Sequence, residues 1–193
     1  MTNLDPANIF YRDTGLDPVR TERLVADALA GCDDGELFLQ HAASESFAFD
    51  DGRLKAATFN TEQGFGLRGV AGETTAYAHA NELSDAAILR AADTIKVVRA
   101  GHGGNAALGG PPRTNARLYT DADPLSAVPF AQKVALLQQI DAAARARDPR
   151  VVQVSASLLG SWSVVEIVRA DGLRARDIRP LVRLNVQIVT QVG

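Results

Sequence analysis

Residues 36–61 read ELFLQHAASESFAFDDGRLKAATFNT. Leu37, Leu39, Ala43, Phe47 and Phe49 fall on odd positions, with mostly polar or small residues between them. That is the two-residue period of a strand with one buried face. Asp50-Asp51-Gly52 then marks a tight turn, because Asp and Gly tolerate the positive φ that a short hairpin requires. Residues 53–61 read as the returning strand. Two more strands are expected at 64–70 and 74–81, separated by Gly72-Glu73. Four short strands in succession imply an antiparallel meander.

Helices flank this block. Asp17 is a good N-cap and Pro18 suits the first helical position, so a helix starts there. Thr21, Leu24, Val25, Ala28 and Leu29 share one face, and Gly31 ends it. Ser84 caps a second helix with Ile88, Ala91, Ala92, Ile95 and Val98 on one side, closed by Arg99 and Gly101. Residues 101–112 are rich in Gly and Pro and mark the expected boundary between two units, 1–100 and 101–193. A third helix over 129–147 carries Phe130, Val134, Leu137 and Ala144, and Pro149 enforces its end. The remainder is strand-like: Val152, Val154 and Ala156 alternate, Val164, Glu166 and Val168 follow, Asp171-Gly172 turns, and 181–192 closes the chain. The expected class is α+β: an antiparallel β-meander with covering helices, then a helix and a second set of antiparallel strands. The apolar segment 184–192 leaves two readings open, a C-terminal edge strand or a chain cut from a longer protein.

Composition narrows the function. The chain has 193 residues, 46% hydrophobic and 22% charged, which is the range of a folded domain. Twenty Lys and Arg against 23 Asp and Glu give a net charge of −3, so nucleic acid is not the expected direct partner. One cysteine, Cys32, excludes an intrachain disulfide framework and a Cys-rich zinc module. No secretory leader and no long apolar run is visible, so a cytoplasmic location with no membrane contact is expected.

No complete catalytic constellation stands out. Gly64-Phe65-Gly66-Leu67-Arg68-Gly69 matches the dinucleotide pattern in letters only, because strand and turn residues follow where a helix must begin. The glycines fit close backbone approach in a sheet instead. Gly101-His102-Gly103-Gly104-Asn105 lacks the Lys-Ser/Thr ending of a phosphate loop. His41, His79 and His102 are too scattered for a helical metal pair. Glu45, Glu62, Glu73 and Glu166 read as surface or strand carboxylates. Arg174, Arg176, Arg179 and Arg183 read as a solvated basic face. Cys32 follows a helix C-terminus, where the dipole disfavours a thiolate.

Several runs together carry a resemblance: Ala43-Ser44-Glu45-Ser46, Asp51-Gly52-Arg53-Leu54-Lys55, Gly64-Phe65-Gly66-Leu67-Arg68-Gly69-Val70, Gly72-Glu73 and Tyr77-Ala78. They resemble the N-terminal region of the TldD/PmbA family. The TldD side fits best, through Gly-Phe-Gly-Leu-Arg and the later Arg179-Pro180-Leu181-Val182-Arg183. The resemblance implies a zinc metallopeptidase, called in older descriptions a modulator of DNA gyrase, that pairs with a PmbA/TldE-like subunit and acts on unfolded peptides. The family's zinc motif, His-Glu-x-x-x-His with a later Cys, is absent from these 193 residues. The resemblance therefore places zinc and catalysis in the full-length protein and assigns this chain no catalytic or metal residue. Two functions follow: the non-catalytic N-terminal portion of such an enzyme, or a stand-alone interaction module. Residues 64–70 are the expected peptide contact by strand addition, with Phe65 offering apolar contact and Arg68 meeting a carboxylate or carbonyl. The alternative puts Phe65 in the core and pairs Arg68 with Glu62 or Glu73.

Overall fold

The computed structural model describes residues 8–12, 14–99 and 118–192. It is an α+β fold built on one five-stranded antiparallel sheet of order β3-β2-β1-β4-β5. Helix α1 (Pro18–Leu29) precedes the strands β1 (Asp34–Asp50), β2 (Arg53–Ala71) and β3 (Thr74–Ala80). Helix α2 (Asp85–Arg99), the short α3 (Pro124–Ala127) and α4 (Phe130–Arg147) lead to β4 (Val151–Arg169) and β5 (Arg174–Thr190).

The hairpin expected from Asp51-Gly52 forms there, with both residues at positive φ (50° and 76°) between β1 and β2. Residues 53–61 and 64–70 are one strand, not two. Glu62-Gln63-Gly64 carries the polarity of a turn, yet all three lie opposite β1, at Ala42, His41 and Gln40. The 17 residues of β1 supply a continuous partner, and ladder pairing overrides the local composition. On its other side β1 pairs with β4 from Glu36↔Arg169 to Asp50↔Ser155. Strands from before and after residues 101–117 thus share one sheet. Gly101–Asn105 with His102, and the side chains of Val98 and Arg99, lie outside the described residues.

All the helices pack on one face. Leu37 and Leu39 of β1, Phe65 and Leu67 of β2, and Trp162, Val164 and Val168 of β4 bury against α1 and α2. A smaller cluster of Phe47, Phe49, Ala156 and Leu158 packs on Leu137 of α4. Between the clusters Lys133 of α4 meets Glu45 of β1 at 2.6 Å, with both side chains over nine-tenths buried. The same ammonium donates to the carbonyl of Leu125 at 2.6 Å. The expected apolar stripe of α4 is thus only partly apolar: Lys133 and Asp141 are buried beside Leu137, while Phe130 is half exposed against Phe47 and Phe59.

Two paired glycines let the helices approach. Gly35 lies opposite Gly69 on neighbouring strands. A Cβ on Gly35 would sit 2.6 Å from the Arg68 carbonyl oxygen and 2.8 Å from a methyl of Leu29. A Cβ on Gly69 would sit 2.6 Å from a methyl of Ile95. The backbone oxygen at Gly35 cannot give way as a side chain can. Gly35→Ala is expected to destabilise the fold by about 1–3 kcal/mol, the usual range for overpacking a filled site. Chemical denaturation checks this, and a midpoint equal to wild type would contradict the packing described.

Candidate functional site

The face of the sheet opposite the helices is uncovered among the described residues. Its main concavity spans β1, β2 and β3 and has a volume of about 590 Å³. Residues pointing this way occupy alternate positions: Phe38 and Gln40 on β1, Glu62, Gly64 and Gly66 on β2, and Tyr77 and His79 on β3. The register places Phe38 and His79 on either side of Gly66. Tyr77 leans across that glycine, so a Cβ there would meet its hydroxyl at 2.5 Å. Tyr77 and His79 stack at 5.7 Å with an interplanar angle of 27°. Tyr77 thus covers the buried Gly66 and the Ala80–Asn81 backbone lies over Gly64, so the glycines make room for the walls of a slot that opens between Phe38, Gln40 and the Tyr77–His79 pair. The slot ends where β3 stops opposite Phe65, leaving residues 53–64 of β2 paired only with β1.

The two residues expected to touch peptide have clear positions. Phe65 is 4% exposed, with its ring in the core on the helical face, and only its backbone borders the slot. Arg68 lies one pair further along the outer face, opposite Tyr77. Its Nε meets Glu36 at 2.6 Å and its terminal nitrogen meets Asp34 at 2.6 Å, so its partners are on β1 and not Glu62 or Glu73. Arg169 of β4 adds a 2.8 Å contact to Asp34. The Arg68 hydrogen bond, helped by the two arginine charges, holds the Asp34 carboxyl below its usual range, and Glu36 and Asp34 raise Arg68 in turn. Strand addition along 65–70 meets a strand already paired on both sides, to β1 and to β3, whereas Gly64 pairs with β1 alone.

Other sequence readings separate here. Glu45 and Glu166 are buried, contrary to a surface reading. Glu166, 1% exposed, takes Arg174 at 2.8 Å, Arg176, and the Tyr11 hydroxyl as donor. Arg179 instead pairs with Asp177 at 2.8 Å, and Arg183 donates to Asn185 at 3.1 Å. The expected basic face is therefore divided between two partly exposed arginines that neutralise the buried Glu166 and local contacts along β5. His41 is buried beside the edge of Trp162, at 6.3 Å between ring centroids. Tyr77, which walls the slot, was legible only as part of the resemblance, because an exposed strand tyrosine carries no signal of its own.

No group of three or more His, Cys, Asp or Glu among the described residues could hold a metal ion. The donor set that a hydrolytic zinc needs, about three protein ligands, does not fit the described residues.

Comparison with known proteins fixes the family. Residues 35–107 match the profile described as PmbA/TldA metallopeptidase domain 1, and residues 123–193 match the PmbA/TldA metallopeptidase central domain. The chain belongs to the TldD/PmbA family. A metalloprotease TldD homolog of Haemophilus influenzae is 35% identical over 163 residues, covering 82% of this chain and 33% of that protein. A TldD homolog of Buchnera aphidicola is 32% identical over 162 residues, with the same coverages of 82% and 33%. The chain thus spans about a third of the length of the relatives it matches. TldE from Thermococcus kodakarensis has the same fold, with a TM-score of 0.61 at 14% identity, covering 90% of this chain and 40% of that one. So does a Bacteroides thetaiotaomicron protein named for a proposed role as a modulator of DNA gyrase, with a TM-score of 0.66 at 14% identity and coverages of 89% and 41%. No described helix of this TldD/PmbA chain is long and apolar enough to cross a membrane.

Burial lowers the pKa of His41, against the opposing hydrogen bond that its ring N–H donates to Gln63 and the charge of Asp123. The unfolded chain then takes up the proton first as pH falls, so stability is full above the unfolded value, near 6.5, and lost below it. Thermal unfolding of wild type should fall in midpoint between pH 7 and 5, and His41→Leu should flatten that fall. A slope unchanged by the substitution would remove His41 as its source.

Proposed function

We propose that this chain is the non-catalytic N-terminal portion of a TldD-like zinc metallopeptidase that degrades or processes unfolded peptides. Its part is to wall the peptide's route and to support assembly with a homologous PmbA/TldE-like subunit in the cytoplasm. The observation that carries this reading is the aromatic-walled slot beside the open stretch of β2, in a chain matching two domains of a metallopeptidase family. An unfolded peptide offers no fixed side-chain pattern, so a general receptor works on main chain and on adaptable aromatic surface. The open edge at 53–64 supplies the first and Tyr77 with His79 the second. Phe65 and Arg68 act here by position: one seats β2 in the core, the other ties it to β1, and together they hold the glycine backbone in place. We place the boundary between two units, 1–100 and 101–193, in the Gly/Pro-rich segment. A break near this segment fits the two family matches, of which the first runs on to residue 107 and the second starts at 123.

Catalysis and zinc belong to the rest of the enzyme on this reading. Metal analysis of purified, chelator-treated and re-metallated chain should find no stoichiometric zinc. One tightly held zinc per chain would contradict it. In the full-length enzyme with its partner subunit, Tyr77→Ala and Arg68→Ala should lower kcat/KM on unfolded peptides by roughly five-fold or more, about 1 kcal/mol of lost transition-state binding. Folded, assembled variants with wild-type kcat/KM would reduce this face to scaffold.

A further inference from the structure

The slot has a charge character that general peptide binding does not require. Among its lining residues Glu62 and His79 are the side chains that can carry charge near neutral pH, with no lysine or arginine. Arg68, opposite Tyr77 on this face, is already matched by Glu36 and Asp34, and Asp34 is shared with Arg169. Glu62 has no ion-pair partner among the described residues, and it stands two residues from Gly64 on the same face of β2. The site therefore presents one unmatched carboxylate at the mouth of an aromatic channel.

We propose that the slot between Phe38 and the Tyr77–His79 pair, beside Gly64 and Gly66, takes a cationic side chain, arginine by preference, from an extended polypeptide. It rests on the peptide reading above for the rest of the ligand. A guanidinium is planar, weakly hydrated and always charged, so it slides flat over an aromatic ring while its N–H groups bond at the edge. Tyr77 is 61% exposed and gives such a face. Glu62 accepts the charge-assisted hydrogen bonds at the slot's end. Gln40 donates its amide N–H to Ser163 at 3.5 Å, which leaves its carbonyl oxygen as a further acceptor. An anionic side chain would meet Glu62 with no cation to offset it, and a neutral aliphatic one would leave Glu62 and Gln40 without partners. The glycines set the walls rather than the fit itself, because a Cβ at Gly66 would strike the Tyr77 hydroxyl and displace that ring, and one at Gly64 would sit 2.7 Å from the Ala80 carbonyl oxygen.

The test uses this chain with three capped tripeptides, acetyl-Gly-Xaa-Gly-amide, in which Xaa is arginine, norleucine or glutamate. NMR titration follows the ring signals of Tyr77 and His79, at peptide concentrations up to about 10 mM to reach weak side-chain-scale affinities. The arginine peptide should bind roughly five-fold or more tighter than norleucine, the scale of a cation–π contact with one ion pair, and glutamate should bind weakest. Glu62→Gln and Tyr77→Leu, both at exposed positions that leave the fold intact, should each shrink the arginine preference to within about two-fold. Equal binding of arginine and norleucine would overturn this inference and leave the peptide reading standing. Absence of any arginine-peptide binding, or a preference unchanged in both variants, would also overturn it. The kcat/KM test in the full-length enzyme decides the peptide reading separately.

Discussion

The pairing of β1 with β4 is the constraint on which the rest of the structure depends. β1 has partners along nearly its whole length on both sides, β2 on one and β4 on the other. A strand held at both edges has one available register, because a slip of one residue would turn Leu37, Leu39, Phe47 and Phe49 to the opposite face. With that register fixed, two clusters form on the same face, one under α1 and α2 and the other under α4. The buried Lys133–Glu45 pair lies between them. Such a pair contributes little net stability, since desolvation offsets most of its Coulomb gain, but a wrongly docked α4 would strand Glu45 as a lone buried charge. It therefore selects the position of the helix.

One-sided covering has a functional consequence. With the helices on a single face, the other face of β1, β2 and β3 is, among the described residues, free to carry a ligand surface. Its shape comes from what is missing: Gly64 and Gly66 remove two side chains where Phe38, Tyr77 and His79 stand around them. The ion pairs of Arg68 to Asp34 and Glu36 hold β2 to β1 just beyond the slot. Packing in the core thus sets the position of the glycine backbone, and through it the walls that decide what can enter.

Much of the architecture was legible from local pattern. The alternation from Leu37 to Phe49, the Asp51-Gly52 turn, the Asp17-Pro18 helix start and the Ser84 cap each act over a few residues, and each recurs in the structure. What escaped depended on distant partners. The continuity of β2 through Glu62-Gln63-Gly64 comes from β1, and the burial of Glu166 comes from Arg174, Arg176 and Tyr11. The site was half legible. Its glycines were singled out for close backbone approach, but Tyr77 and His79 become walls only when β3 lies against β2. A core position for Phe65 was one of two readings open in sequence, and the sheet register decides for it.

The central claim is that the helix-free face of the sheet handles extended polypeptide at the slot beside Gly64 and Gly66. Backbone amide NMR of the labelled chain, recorded with and without a reduced and alkylated unfolded protein, tests it most directly. The account predicts shifts concentrated at residues 38–42, 62–66 and 77–81, with the amides of α1 and α4 unmoved. Shifts confined to β5 or to the helices, or none at all, would contradict it.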